Sequence, residues 1–194
     1  MRRPNIILLV LDTVRADRLS CYNYTRKTTP FLESLAEEGV TFEQAIAPAP
    51  WTLPSHVSMF TGMLPSKHGA HRDHHKFDTP YVTLAQLLSE YGYRTAGFSN
   101  VQWVDHVTGA VRGFEEFNGR GVWRKTLDND HPTVSMKDKG AARIIHDAQE
   151  WVTDQGGDEP FFIFINLLEA HTPYGPPVPY DREYLASADI PRVS

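Results

Sequence analysis

Asn5-Ile-Ile-Leu-Leu-Val-Leu11 is an unbroken run of β-branched and leucine residues that ends at Asp12. A run with no polar alternation is the pattern of a strand covered on both faces in a parallel sheet. Its carboxyl end delivers Asp12. A second such run, Phe161-Phe-Ile-Phe-Ile-Asn-Leu-Leu168, ends at Glu169-Ala170-His171. Tyr93 to Phe98 reads as another strand, ending at Ser99-Asn100, and Val40 to Ala45 as a short one. Between them apolar residues recur at helical spacing. Thr29 can cap a helix opened by Pro30, with Phe31, Leu32, Leu35 and Ala36 on one face and Gly39 as its stop. Thr83-Leu-Ala-Gln86 fits a capping box ahead of Leu87, Leu88 and Tyr91, and Gly92 ends that helix. From Asp138 to Thr153 one face carries Ala141, Ile144, Ile145, Ala148 and Trp151 or Val152, before the break at Gly156-Gly157. The alternation predicts an α/β fold, a mostly parallel sheet with helices on both faces. Ligands gather at strand carboxyl ends in such folds, where Asp12, Ser99-Asn100 and Glu169-Ala170-His171 all fall.

Composition bounds the rest. With 194 residues, 41% hydrophobic and 22% charged, the chain can bury a core, and one domain is expected. Nineteen basic against 24 acidic residues leave a net charge of −5, without the footprint of a nucleic-acid binder. Cys21 is the single cysteine, which excludes an internal disulfide and a multi-cysteine zinc site and is compatible with a reducing compartment. The apolar run from Ile6 to Leu11 is too short for a membrane span or a signal-peptide core, so a cytoplasmic location is expected.

Ala49-Pro-Trp-Thr-Leu-Pro-Ser-His-Val-Ser-Met-Phe-Thr-Gly62 sets Thr52 just before a helix start at Pro54-Ser55. Threonine there either caps the helix or presents its hydroxyl at the positive end of the helix dipole, where an oxyanion is favoured.

Four blocks, taken in order, resemble the sulfatase family of the alkaline-phosphatase-like superfamily. Arg3-Pro-Asn-Ile-Ile-Leu-Leu-Val-Leu-Asp12 looks like its opening strand and metal-binding aspartate. Thr28-Thr-Pro-Phe-Leu-Glu-Ser-Leu-Ala36 with Gly39-Val-Thr-Phe42 resembles the helix-strand unit that follows. Thr52-Leu-Pro-Ser-His56, with Thr61-Gly62 and His68-Gly69, is similar to the C-x-P-S-R…T-G signature. Pro160-Phe-Phe-Ile-Phe-Ile165 and His171-Thr-Pro-Tyr174 look like the later strand and histidine motif. The resemblance implies the amino-terminal part of a single catalytic domain over 1–194, an incomplete α/β domain whose parent is a metal-dependent hydrolase of sulfate or phosphate esters. The portion alone is expected to be inactive.

The departures redirect the chemistry. Family members convert a cysteine or serine to formylglycine, whose hydrate supplies two hydroxyls, and Thr52 has one. A threonine nucleophile resembles the phosphoesterase and phosphotransferase branches, which favours phosphoesters. His56 stands where the family has arginine, and Ser99-Asn100 where many members have Gly-Lys, so a diester or monoanion is favoured over a dianion. Thr52 and His171 are expected to be catalytic, and His56 and Asn100 to bind substrate. Asp12 and Thr52 are expected to hold a divalent cation, calcium, magnesium, manganese or zinc. Thr13 joins them, standing where the family often has a second aspartate. A hard cation wants about six oxygens, and the family's further ligands lie downstream of the matched positions. Asp17 reads as a turn or helix cap rather than a ligand. His71-Arg-Asp-His74-His75 reads as a solvated loop bordering the substrate mouth, Gly113-Phe-Glu-Glu-Phe117 as a structural turn, and Trp51, Trp103, Trp123 and Trp151 as packing. The substrate class is a small-molecule, carbohydrate or lipid ester. Transfer to an alcohol is the alternative to hydrolysis, and an inactive anion- or sugar-binding remnant is the alternative to an enzyme.

Overall fold

The computed structural model describes residues 3–119, 139–154, 159–176 and 179–183. Four strands form one sheet in the order β1-β4-β2-β3: β1 Ile6–Leu11, β2 Arg94–Ser99, β3 Glu116–Gly119 and β4 Phe161–Leu167. All three pairings are parallel, with Leu8 opposite Phe164 and Val10 opposite Asn166 in one, and Gly97 opposite Phe164 and Ser99 opposite Asn166 in another. The most apolar run thus becomes the inner strand β4. Six helices accompany the sheet among the described residues: α1 Pro30–Glu38, α2 Thr52–Thr61, α3 Pro65–His68, α4 Leu84–Glu90, α5 Ala141–Asp154 and α6 Tyr180–Glu183.

Strand alternation sorts the core into two layers. On one face Phe162 and Phe164 pack with Phe60 of α2, Ala85 of α4 and the inward residues Ile6, Leu8 and Val10 of β1. The Phe60 and Phe164 rings meet edge-on at 4.9 Å, a geometry worth about 0.5–1.5 kcal/mol beyond burial. On the other face Ile163 and Ile165 meet Ile144, Ala148 and Trp151 of α5. The expected helices on both faces are therefore present.

Local signals explain the elements. Thr83 and Gln86 make a reciprocal capping box at α4. Gly113, at φ +96°, lets the backbone pass so close to that cap that a Cβ would lie 2.5 Å from the Gln86 amide nitrogen. Gly62, at φ +68°, closes α2 in the left-handed conformation.

Several expectations are corrected. Val40 to Ala45 is not a strand: Val40 and Phe42 are exposed, and no neighbouring strand offers that segment a ladder. β1 is covered on one face only, because α5 packs on β2 and β4 and leaves Ile7 and Leu9 exposed. Thr29 stands at the N-cap of α1, but its hydroxyl accepts from the Ser20 amide instead of capping. Gly113 to Phe117 is a turn only in its first part, since β3 begins at Glu116. Trp123, Asp138, Gly156 and Gly157 lie outside the described residues.

Candidate active site

The site forms at the carboxyl edge of the sheet. Asp12 follows β1 directly, its amide donating to the Leu167 carbonyl at 2.9 Å, so the sheet's own ladder carries it to the edge. Thr13 next to it turns the chain at φ 63°, a conformation that β-branched residues rarely adopt. Helix α2 is anchored by Leu53, Val57 and Phe60, all buried. The helix starts two residues earlier than the Pro54-Ser55 reading: Trp51 is the N-cap and Thr52 the first helical residue. The Thr52 hydroxyl therefore does not cap. It donates to Asp12 Oδ2 at 3.2 Å, joining two residues 40 positions apart at the amino end of a helix. Free amides of that first turn and the helix dipole favour negative charge there.

His56 sits one turn along α2 and is 3% exposed. Its Nδ1 is 2.8 Å from the Thr52 carbonyl, which can only accept, so Nδ1 carries the proton. Burial holds this imidazole below its ordinary pKa, against the opposing pull of the Thr52 carbonyl and the Asp12 charge. Expected at the substrate, His56 instead lies beneath the helix, edge-on to Phe164 at 5.9 Å.

Asn100 and His171 follow β2 and β4, and both are tied to Lys139, which the sequence reading passed over. Asn100 Nδ2 donates to the Lys139 carbonyl at 2.5 Å. Lys139, 9% exposed, donates from Nζ to the carbonyls of Glu169 at 3.3 Å, Pro173 at 3.0 Å and His171. Burial lowers its pKa, and the Glu169 carboxylate opposes that shift. Glu169 accepts from the Lys139 amide at 3.2 Å and the Ala141 amide at 2.7 Å, and so caps α5. His171 Nδ1 donates to the Thr172 carbonyl at 2.5 Å, which leaves Nε2 to accept when the ring is neutral and to donate only as imidazolium.

Thr52 and Asp12 are thus in direct contact, His56 supports Thr52 from below, and Asn100 and His171 are joined to each other through Lys139. Asp17 belongs to the turn Ala16–Arg18 and pairs with Arg15 at 2.6 Å, whose guanidinium holds the carboxyl below its usual range. His71 and His74 exchange two backbone hydrogen bonds of 3.0 Å, so that loop folds on itself. His75 packs edge-on against Trp51 at 5.5 Å and Trp103 at 5.0 Å, beside the start of α2. Trp151 is buried in the α5 layer.

The donors at Asp12, Thr52 and Thr13 are all oxygens, which suits a hard divalent cation. They are too few for a complete shell, and no group of three or more histidine, cysteine, aspartate or glutamate side chains able to hold a metal occurs among the described residues. The donor set fits part of such a site.

The site thus sets an aspartate at one strand end of a parallel α/β sheet against a hydroxyl at the start of a helix. A sequence model of the sulfatase family matches residues 4–190, and the chain belongs to the sulfatase family. It is 26% identical over 186 residues to an ulvan-active sulfatase of Formosa agariphila, covering 89% of this chain and 36% of that protein. It is 33% identical over 123 residues to an N-acetylgalactosamine-6-O-sulfatase of Bacteroides thetaiotaomicron, covering 61% of this chain and 23% of that one. Its fold is similar to the crystal structure of a phosphonate monoester hydrolase of Agrobacterium radiobacter, with a TM-score of 0.72 and 22% identity, covering 93% of this chain and 44% of that chain. The chain therefore spans about a third or less of the length of these two curated relatives.

Proposed function

We propose that this chain carries the nucleophile half of a metal-dependent ester hydrolase, with Thr52 attacking phosphorus in line. The observation that carries the reading is the 3.2 Å hydrogen bond from the Thr52 hydroxyl to Asp12 Oδ2 at the start of α2. By accepting that hydrogen bond, Asp12 orients the Thr52 hydroxyl and receives its proton as Oγ1 attacks. Attack forms a bond from Thr52 Oγ1 to phosphorus as the bond to the leaving oxygen breaks. Water then breaks the phosphothreonine link and restores the hydroxyl. Asp12 and Thr52, with Thr13 beside them, would hold a divalent cation, which when bound would lower the effective pKa of the hydroxyl and offset oxyanion charge. First-turn amides of α2 favour the same charge, and Asn100 and His171 bind the transferring group or the leaving oxygen.

Threonine's single hydroxyl favours phosphoesters over the sulfate esters named for the two relatives. A substrate of low charge, such as a diester or phosphonate monoester, suits a site with a neutral residue at 100. No helix among the described residues is long and apolar enough to cross a membrane. The test uses protein from the complete reading frame. It compares kcat/KM for matched aryl sulfate, phosphate monoester, phosphodiester and phosphonate monoester substrates, with Mn²⁺, Zn²⁺, Mg²⁺ or Ca²⁺. Phosphoester turnover lost in Thr52→Ala is expected. Sulfate turnover that survives Thr52→Ala overturns the nucleophile, and no turnover with any metal favours a binding remnant.

A further inference from the structure

Asn166 is the one amide side chain in the apolar run of β4, and it is 0% exposed. Both its side-chain atoms lack a hydrogen-bond partner among the described residues, and so does Nε2 of His56. An amide buried this completely without partners costs about 1–3 kcal/mol, which strands do not bear without a reason.

The register sets these orphaned atoms at one level. Alternation puts Asn166 on the face of Phe162 and Phe164, the face that α2 crosses. Phe60, near the end of α2, meets Phe164, while Thr52 at its start meets Asp12, one residue beyond the Leu11–Leu167 pair. His56 lies between those two contacts on the same helix, and the Val10–Asn166–Ser99 row lies between the same two levels of the sheet, about 6–7 Å along the strand from Phe164. Its edge-on contact with Phe164 agrees with that placement. Nδ1 is fixed on the Thr52 carbonyl, which turns Nε2 away from the helix backbone.

We propose that Asn166 is a positioning residue for Thr52: its amide engages Nε2 of His56 through one bridging water, and so holds the ring that grips the Thr52 carbonyl. An amide is suited to this task because it offers a donor to an imidazole lone pair and an acceptor to an imidazole N–H. The contact survives either state of the ring. Beneath a helix start, a fixed ring sets where the first residue's backbone stands, and hence where its hydroxyl meets Asp12. The catalytic consequence rests on the reading of Thr52 as the nucleophile.

Two measurements on the protein from the complete reading frame separate this proposal from that reading. The first is kinetic. Asn166→Leu, nearly isosteric, is expected to lower kcat about 10- to 100-fold with KM changed less than twofold, the size of effect that a small misplacement of a reacting group produces. Asn166→Ser, which supplies a hydroxyl and leaves room for water, is expected to recover most of that loss. On a His56→Phe background Asn166→Leu is expected to change nothing further, whereas independent effects would multiply and overturn the coupling. Asn166→Val takes the place of the leucine variant if the latter does not fold. The second is spectroscopic and needs no turnover. In ¹⁵N-histidine spectra the His56 Nε2 resonance is expected to move when Asn166 becomes leucine or valine. An unmoved resonance overturns the contact even in an active enzyme. A moved one in a protein without ester turnover keeps the contact and removes the catalytic reading.

Discussion

The two halves of the site use their polar side chains in opposite ways. At the ends of β1 and α2, the Asp12 carboxylate and the Thr52 hydroxyl meet each other and no backbone group, so both remain available to a substrate or a cation. At the ends of β2 and β4, Asn100, Lys139 and His171 are engaged by main-chain carbonyls, and Glu169 by main-chain amides. In the proposed reading the first half supplies the attacking group, while the second is a latch that fixes the loops carrying Asn100 and His171, the groups proposed to bind substrate. Residue type alone does not distinguish them, since each contains a carboxylate and a group able to donate.

The sharpest way to break this contrast is to remove one group from each half. Thr52→Ala is expected to lower kcat/KM for the best phosphoester by a factor on the order of 10⁴ or more, as loss of a nucleophile does. Asn100→Ala, in the latch, is expected to cost on the order of tenfold, measured in the same assay. Equal losses would erase the distinction. Lys139→Met tests the latch by stability. It removes a buried ammonium and leaves the carbonyls of Glu169, His171 and Pro173 without their donor, for a loss of about 2 kcal/mol. For a chain of this length that lowers Tm by about 4–8 °C in a thermal melt. The concentration of metal giving half-maximal activity should not move, because Lys139 touches neither Asp12 nor Thr52.

The contrast also explains what was legible in the sequence. Periodicity located β1, β2 and β4 and the helices around them, because burial in a parallel sheet writes itself as unbroken apolar runs. It located Asp12 for the same reason, since a charge directly after such a run stands at the sheet edge. The latch was not legible. Lys139 and Glu169 are ordinary surface residue types, and only the fold brings a helix start to the end of β4. Val40 to Ala45 misled because β-branched and aromatic residues describe a strand only when a neighbour completes the ladder. The short strand β3 was missed for the converse reason: Glu116 to Gly119 has little apolar content and pairs because β2 lies beside it.

A smaller effect separates the two buried histidines on this side of the sheet. His68 has both ring nitrogens partnered: Nδ1 accepts from the Ala70 amide at 3.2 Å, and Nε2 lies 2.9 Å from Ser58 Oγ. Burial lowers its pKa, against backbone contacts that favour the proton. Its unfolded form therefore binds a proton at a higher pH than its folded form. Stability from this group is fully present above about pH 6.5 and declines as pH falls below it, by no more than about 1.4 kcal/mol per unit. Chemical denaturation from pH 7.5 to 5 should show this acid limb, and His68→Gln should flatten it. An unchanged limb would return the titration to other groups.

The smallest effect concerns the residue that turns the chain out of Asp12. Thr13 is exposed and holds φ 63°, which costs a residue with a Cβ about 1–2 kcal/mol. Glycine relieves that strain but gives the unfolded chain more freedom, worth about 0.4–1 kcal/mol in the other direction. Thr13→Gly should therefore raise stability by about 0.5 kcal/mol, a shift of one or two degrees in Tm by roughly 2–4 °C per kcal/mol. A gain of that size places strain in the reacting half of the site, where it is held by the ladder bond from the Asp12 amide to Leu167. Loss of stability would show that the threonine side chain makes a contact worth more than its strain. The same variant removes the hydroxyl expected to help hold the cation. A rise in the metal concentration needed for turnover, alongside the gain in stability, would separate the ligand role of Thr13 from its role in bending the chain.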